Sequence, residues 1–171
     1  MLDNSKATPA SVHTEQGRLG RLVYGRMAPN EDLVQGLEAM CRAQGVRHAL
    51  VRMGLGSLVD ARLQMPSGQQ IFVEGPAVEV LSLFGELRSD AEGPFRAQLS
   101  GVVVNPAGQV LSGRFVPGHN LVFATFEVTL EEWLPAGFED DVLGPDAPAH
   151  AVSSPDAPSP VAFPRAEPRA L

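Results

Sequence analysis

Residues 98–130 read QLSGVVVNPAGQVLSGRFVPGHNLVFATFEVTL, and this stretch sets the fold class. Apolar side chains alternate with small or polar ones on both sides of Asn105-Pro106-Ala107-Gly108. Those four residues have turn chemistry: Asn bonds nearby backbone, Pro fixes φ, and Gly accepts a positive φ. The stretch, with the residues just before it, predicts strands at 95–104 and 110–116 joined as a hairpin. A third strand, at 121–130, follows Pro117-Gly118. Working toward the N-terminus, Gly, Pro, Asn and Asp punctuate further apolar runs at 78–87, 70–73, 58–64 and 46–55. An alternating run at 18–24 supplies the first strand, with Leu19, Leu22 and Tyr24 as candidates for burial.

One segment departs from this pattern. Leu33, Leu37, Met40 and Cys41 fall at i, i+4, i+7 and i+8, the apolar face of a helix over about residues 30–44. Asn30 is the expected N-cap, with Glu31 and Asp32 in the first turn complementing the helix dipole. Gly45 is the expected stop. One substantial helix among short strands predicts an α+β fold, a largely antiparallel sheet covered on one face by that helix.

Composition narrows the function classes. A chain of 171 residues with 44% apolar and 19% charged residues predicts a single globular domain. It contains no apolar run long enough to span a bilayer. The opening MLDNSKATPASVHTEQG lacks the apolar core of a secretory signal, so a cytoplasmic location is expected. The single cysteine, Cys41, excludes an internal disulfide framework and a Cys-based zinc motif, and is expected to be a small buried apolar side chain.

The net charge of −7 is uneven: residues 18–134 hold ten arginines against twelve acids, whereas six acids face two arginines from 135 onward. Eight of the fifteen prolines also lie in that final part. The expected organisation is a flexible arm at 1–17, a domain at 18–134 and a disordered Pro/Ala/Asp-rich tail at 135–171. The closing FPRAEPR, residues 163–169, is either solvated chain or a short partner motif. A domain gripping nucleic acid through its phosphates shows a basic balance or stripe. None is visible, so direct DNA binding is not expected on charge grounds.

Five short motifs occur in a fixed order. They are Asn30-Glu31-Asp32-Leu33; Ala49 to Met53 followed by Gly54-Leu55-Gly56-Ser57-Leu58; Glu79-Val80-Leu81-Ser82-Leu83-Phe84-Gly85; the Asn105–Gly108 turn; and Ala124-Thr125-Phe126-Glu127-Val128-Thr129-Leu130. In order and spacing the series resembles the PPC ("plants and prokaryotes conserved") domain. The resemblance implies that fold and a homotrimer. In land plants such domains are joined to AT-hooks that bind the minor groove of A·T-rich DNA. Here Gly17-Arg18-Leu19-Gly20-Arg21 lacks the Pro and the basic flanks of a hook.

Many bacterial members carry His-x-His and then Gly-Gly-His, a set read as a metal site. Aligned on Gly108, Gln98 and Ser100 stand at the first two histidines and Ser112-Gly113-Arg114 at Gly-Gly-His. The chain therefore resembles a degenerate bacterial member without the metal ligands, and no metal or cofactor is expected. Of its own histidines, His13 and His150 lie in the arm and the tail, and His48 is expected outward on a strand. Trp133 is expected to be a packing anchor.

The exchange of His for Arg114 puts a fixed positive charge in the candidate pocket, with Gln98 and Ser100 as neutral hydrogen-bonding groups and His119 and Glu127 as its other members. Arginine suits bidentate recognition of a carboxylate or phosphate, so a small anionic ligand is one reading. The other is that Arg114 pairs with an acid such as Glu127, within the sheet or across a subunit boundary. No Ser-His-Asp order or phosphate-binding Gly-rich loop is present. The expected function is a non-enzymatic trimeric assembly or small-ligand module, with regulation as one use. The alternatives are a DNA-associated regulator acting through a partner, and an enzyme on a small anion in an intersubunit pocket.

Overall fold

The computed structural model describes residues 14–89 and 93–136. Eight strands and one helix follow in the order β1 (Gly17–Met27), α1 (Leu33–Ala43), β2 (His48–Leu58), β3 (Ala61–Gln64), β4 (Gln70–Val73), β5 (Val78–Ser89), β6 (Phe95–Val104), β7 (Val110–Phe115) and β8 (Val122–Pro135). All eight strands form one sheet in the order β1-β8-β2-β5-β6-β7-β3-β4, and every recorded pairing is antiparallel. The β6–β7 hairpin turns at Asn105–Gly108 as its composition requires: Gly108 sits at φ 78° and donates to the Asn105 carbonyl, while Asn105 Oδ1 accepts from Gln109 N.

The helix begins two residues later than the sequence implies. Asp32, not Asn30, is the N-cap, its Oδ1 accepting from Val34 N and Gln35 N. Asn30 instead occupies the left-handed region at φ 69°, in the turn leading up from β1. Asp32 wins the cap because its second oxygen, Oδ2, also accepts from Asn120 N, fastening the helix start to the β7–β8 connection. At the far end Gly45 N bonds the Arg42 carbonyl and Val46 N the Cys41 carbonyl, with Gly45 at φ 64°. This is the paired-bond C-terminal motif that a glycine permits.

Leu33, Val34, Leu37 and Cys41 on α1 are buried together with Ala49, Leu58, Leu63, Leu87, Leu99, Phe115, Phe126 and Val128 from the strands. The Leu, Val and Phe side chains among these each contribute about 1.5–3 kcal/mol on burial. The helix lies close against β1, since a side chain at Gly25 would collide with Met40 and one at Gly36 with Met27. Burial raises the Cys41 thiol to about 11, consistent with an inert packing residue.

Two strands run further than their sequences suggest. β2 passes through Gly54 and Gly56 without interruption, and β8 continues through Glu131-Glu132-Trp133 to Pro135. Buried carboxylates need cations, and these are supplied from neighbouring strands: Arg21 Nε lies 2.9 Å from Glu132 Oε2 and Arg52 Nε 3.2 Å from Glu131 Oε2. The Arg21 hydrogen bond holds the Glu132 carboxyl below its ordinary range. A depressed folded value means stability that is complete above the unfolded pKa of ~4.3 and lost as pH falls through the folded one. Glu132→Gln is expected to cost about 1 kcal/mol at pH 7, and the gap from the parent to close in strong acid. Urea unfolding at both pH values checks this.

The sheet leaves its other face open. Leu19, Leu22 and Tyr24 are more than half exposed, against the expectation of burial, because the inward positions of β1 are Val23, Gly25 and Met27. Among the described residues no helix is long and apolar enough to cross a membrane. Residues 1–13 and 137–171, most of the expected arm and tail, lie outside the described residues.

Candidate ligand site on the open sheet face

Strand pairing brings three of the five expected site residues together. Ser100 on β6 is the register partner of Arg114 on β7, so their Cβ atoms stand about 5 Å apart. Gln98 lies two residues along β6 on the same face. Leu99 and Phe115 alternate with them into the core, which fixes Gln98, Ser100 and Arg114 outward. The row continues through Phe84 on β5, opposite Ser100, and Gln64 on β3, opposite Arg114.

The other two residues lie elsewhere. Glu127 is on β8, four strand positions from β7, roughly 19 Å at ~4.8 Å per strand. It is bonded to Arg26, whose Nη2 stands 2.6 Å from Oε1. His119 is exposed in the β7–β8 connection, next to Gly118, which faces Gln35 on the helix side. Within one chain, then, Arg114 does not meet Glu127; it has no hydrogen-bond or ion-pair partner among the described residues.

Beside Gln98 the structure builds a polar network that residue patterning does not reveal. Glu86 on β5 is the register partner of Gln98 and its Oε2 lies 2.9 Å from His48 Nε2. Arg88 Nη2 is 3.1 Å from His48 Nδ1 and 2.9 Å from Glu15 Oε2. A guanidinium only donates, so Nδ1 of His48 is the acceptor from Arg88 and Nε2 is the atom that faces Glu86. Trp133 closes the cluster edge-on to His48 at 6.4 Å, with Nε1 donating to Glu15. The bond from Arg88 holds the Glu15 carboxyl below its ordinary range. His48 is thus buried in a network rather than set outward in solvent. Its hydrogen-bond partners, Glu86 and Arg88, both lie on β5 and are brought to it by the β2–β5 register, His48 against Arg88, while Glu15 joins through Arg88. His13 and His150 lie outside the described residues.

The donor set at positions 98, 100 and 114 is a carboxamide, a hydroxyl and a guanidinium. A divalent cation needs imidazole, thiolate or carboxylate, and the guanidinium repels it. Among the described residues no group of three or more His, Cys, Asp or Glu side chains stands at metal-binding spacing. The residues present do not fit a metal; they fit an anion.

A family model for the Plants and Prokaryotes Conserved domain, abbreviated PCC or PPC, matches residues 14–134. The chain belongs to the PPC family. Among solved structures, this PPC domain is similar to a plant- and prokaryote-conserved protein of Pyrococcus horikoshii. The TM-score is 0.60 at 23% identity, over 71% of this chain and 85% of that one. It is also similar to a metal-containing protein of Archaeoglobus fulgidus, with a TM-score of 0.62 at 18% identity, over 72% and 87% of the two chains. At these identities the likeness concerns the fold alone. Among curated proteins, the bifunctional protein GlmU of Synechococcus sp. (strain JA-3-3Ab) is 29% identical over 109 residues, 64% of this chain and 17% of that protein. The chain thus spans about a sixth of the length of the curated relatives it matches.

Proposed function

We propose that the chain is a non-enzymatic, self-associating PPC module, a homotrimer, with a small-anion site at Gln98, Ser100 and Arg114 on the face where copies meet. One observation carries the reading: Leu22, Tyr24, Leu55, Leu81 and Phe84 are each more than half exposed, with Met53 and Phe123 close behind. They come from adjacent strands β1, β8, β2 and β5. A contiguous apolar face of this kind is uncommon on a monomer and marks an association surface. Among the charges there, Arg26 is paired with Glu127 and Arg52 with Glu131, so covering the β1–β8–β2 part of the face leaves neither pair without its partner. The resemblance to PPC domains supports three as the number of copies.

A binding role rather than catalysis is favoured by Ser100, the hydroxyl of the site, which has no base in hydrogen-bonding reach among the described residues. Native mass spectrometry of the full chain tests the assembly. A species of three times the 18.2 kDa chain mass is expected. A monomer at micromolar concentration would overturn it.

A further inference from the structure

Two guanidiniums on the open face have no hydrogen-bond or ion-pair partner among the described residues: Arg114 on β7 and Arg62 on β3. Arg114 is the register partner of Gln64, and Val116 N donates to the Arg62 carbonyl, so Arg62 lies diagonally across from Arg114. Ala61, Leu63 and Phe115 are buried, which turns both arginines to the same face. Diagonal cross-strand neighbours stand about 7–8 Å apart, within reach of one ligand. Glu86, the carboxylate opposite Gln98, is committed to His48. Two exposed phenylalanines flank the pair: Phe72 is opposite Arg62 and Phe84 opposite Ser100.

We propose that this patch binds an organic phosphate monoester as its dianion. The proposal rests on the small-anion reading above and narrows it. Two guanidinium forks match the peripheral oxygens of a phosphate and its two charges. Ser100 and Gln98 supply neutral donors, and the Phe84 and Phe72 rings offer apolar contact to the organic group. A carboxylate monoanion uses only one of the two cations. A nucleic-acid backbone carries one charge per phosphate along an extended track, and this chain, at net −7, provides no such track.

The test is calorimetric titration of the full chain with phenyl phosphate, benzoate and a short single-stranded oligonucleotide, about two pH units above the second phosphate pKa of ~6. Phenyl phosphate is expected to bind about tenfold or more tightly than benzoate, a difference of ~1.4 kcal/mol. Arg62→Gln is expected to bring phenyl phosphate down to the benzoate level while leaving benzoate unchanged, and Arg114→Gln to weaken both. Both positions are on the surface, so unchanged melting temperatures confirm that the variants fold. Equal binding of the two small anions, or indifference to Arg62→Gln, overturns the phosphate inference and leaves the anion site standing. No binding of either at millimolar concentration overturns both. An oligonucleotide bound more tightly than phenyl phosphate assigns the patch to nucleic acid and overturns the inference.

Discussion

Leu55→Lys is expected to break the proposed assembly into monomers that remain folded. Leu55 is exposed near the middle of the open face and is the register partner of Glu127 on β8. In the monomer a lysine there gains a carboxylate directly across the strand pair, so the fold loses little. In the assembly each copy forfeits about 1.5–3 kcal/mol of leucine burial and must also desolvate an ammonium, a cost of several kcal/mol. Even ~3 kcal/mol per copy is a change of more than a hundredfold in association. The expected result is a monomer by light scattering, with unchanged far-ultraviolet dichroism. An unchanged assembled mass would show that copies meet through another surface.

Asn120→Ala is expected to destabilise the fold by about 3 kcal/mol, lowering the melting temperature by roughly 10 °C. Asn120 is fully buried. Its Oδ1 accepts from Arg62 N and its Nδ2 donates to the Val116 carbonyl at 2.6 Å, while its own backbone N donates to Asp32 Oδ2. The side chain thus joins β3 to the end of β7, and the backbone of the same residue holds the cap of α1. Alanine leaves a buried donor and a buried acceptor without partners, at about 1–3 kcal/mol each. Asn120→Asp is expected to be worse, because it places a second carboxylate beside Asp32. Urea unfolding measures both. A loss under ~1 kcal/mol for alanine would mean that the freed groups find other partners. The same clamp holds the backbone of Arg62, so partial loss of order here is also expected to weaken the proposed phosphate binding.

Much of the fold was legible. Alternation and turn residues located each strand, and the spacing of Leu33, Leu37, Met40 and Cys41 located the helix, because these depend on local backbone geometry and side-chain period. Details set by distant partners were not. Asp32 displaced Asn30 as the cap because of Asn120, 88 positions away. β8 runs on through Glu131 and Glu132 because arginines on β2 and β1 meet their charges. Leu22 and Tyr24 read as core residues by alternation alone, since period two identifies two faces but not which one the helix covers.

The candidate site divides in the same way. Gln98 and Ser100 are two residues apart on one strand, so their shared face follows from sequence, and the turn at Gly108 folds Arg114 back onto them. Glu127 and His119 are close to Arg114 along the chain yet far from it in the sheet, because β8 inserts between β1 and β2 rather than beside β7. Arg62 joins Arg114, and His48 meets Glu86 and Arg88, through pairings between segments far apart in the chain. The sequence by itself determined the strands and the helix, which are properties of residue type and short-range order. Only the tertiary structure decided which charges are paired, which face is left open and which two arginines become neighbours, because strand order and register are chosen by the burial of the whole sheet at once.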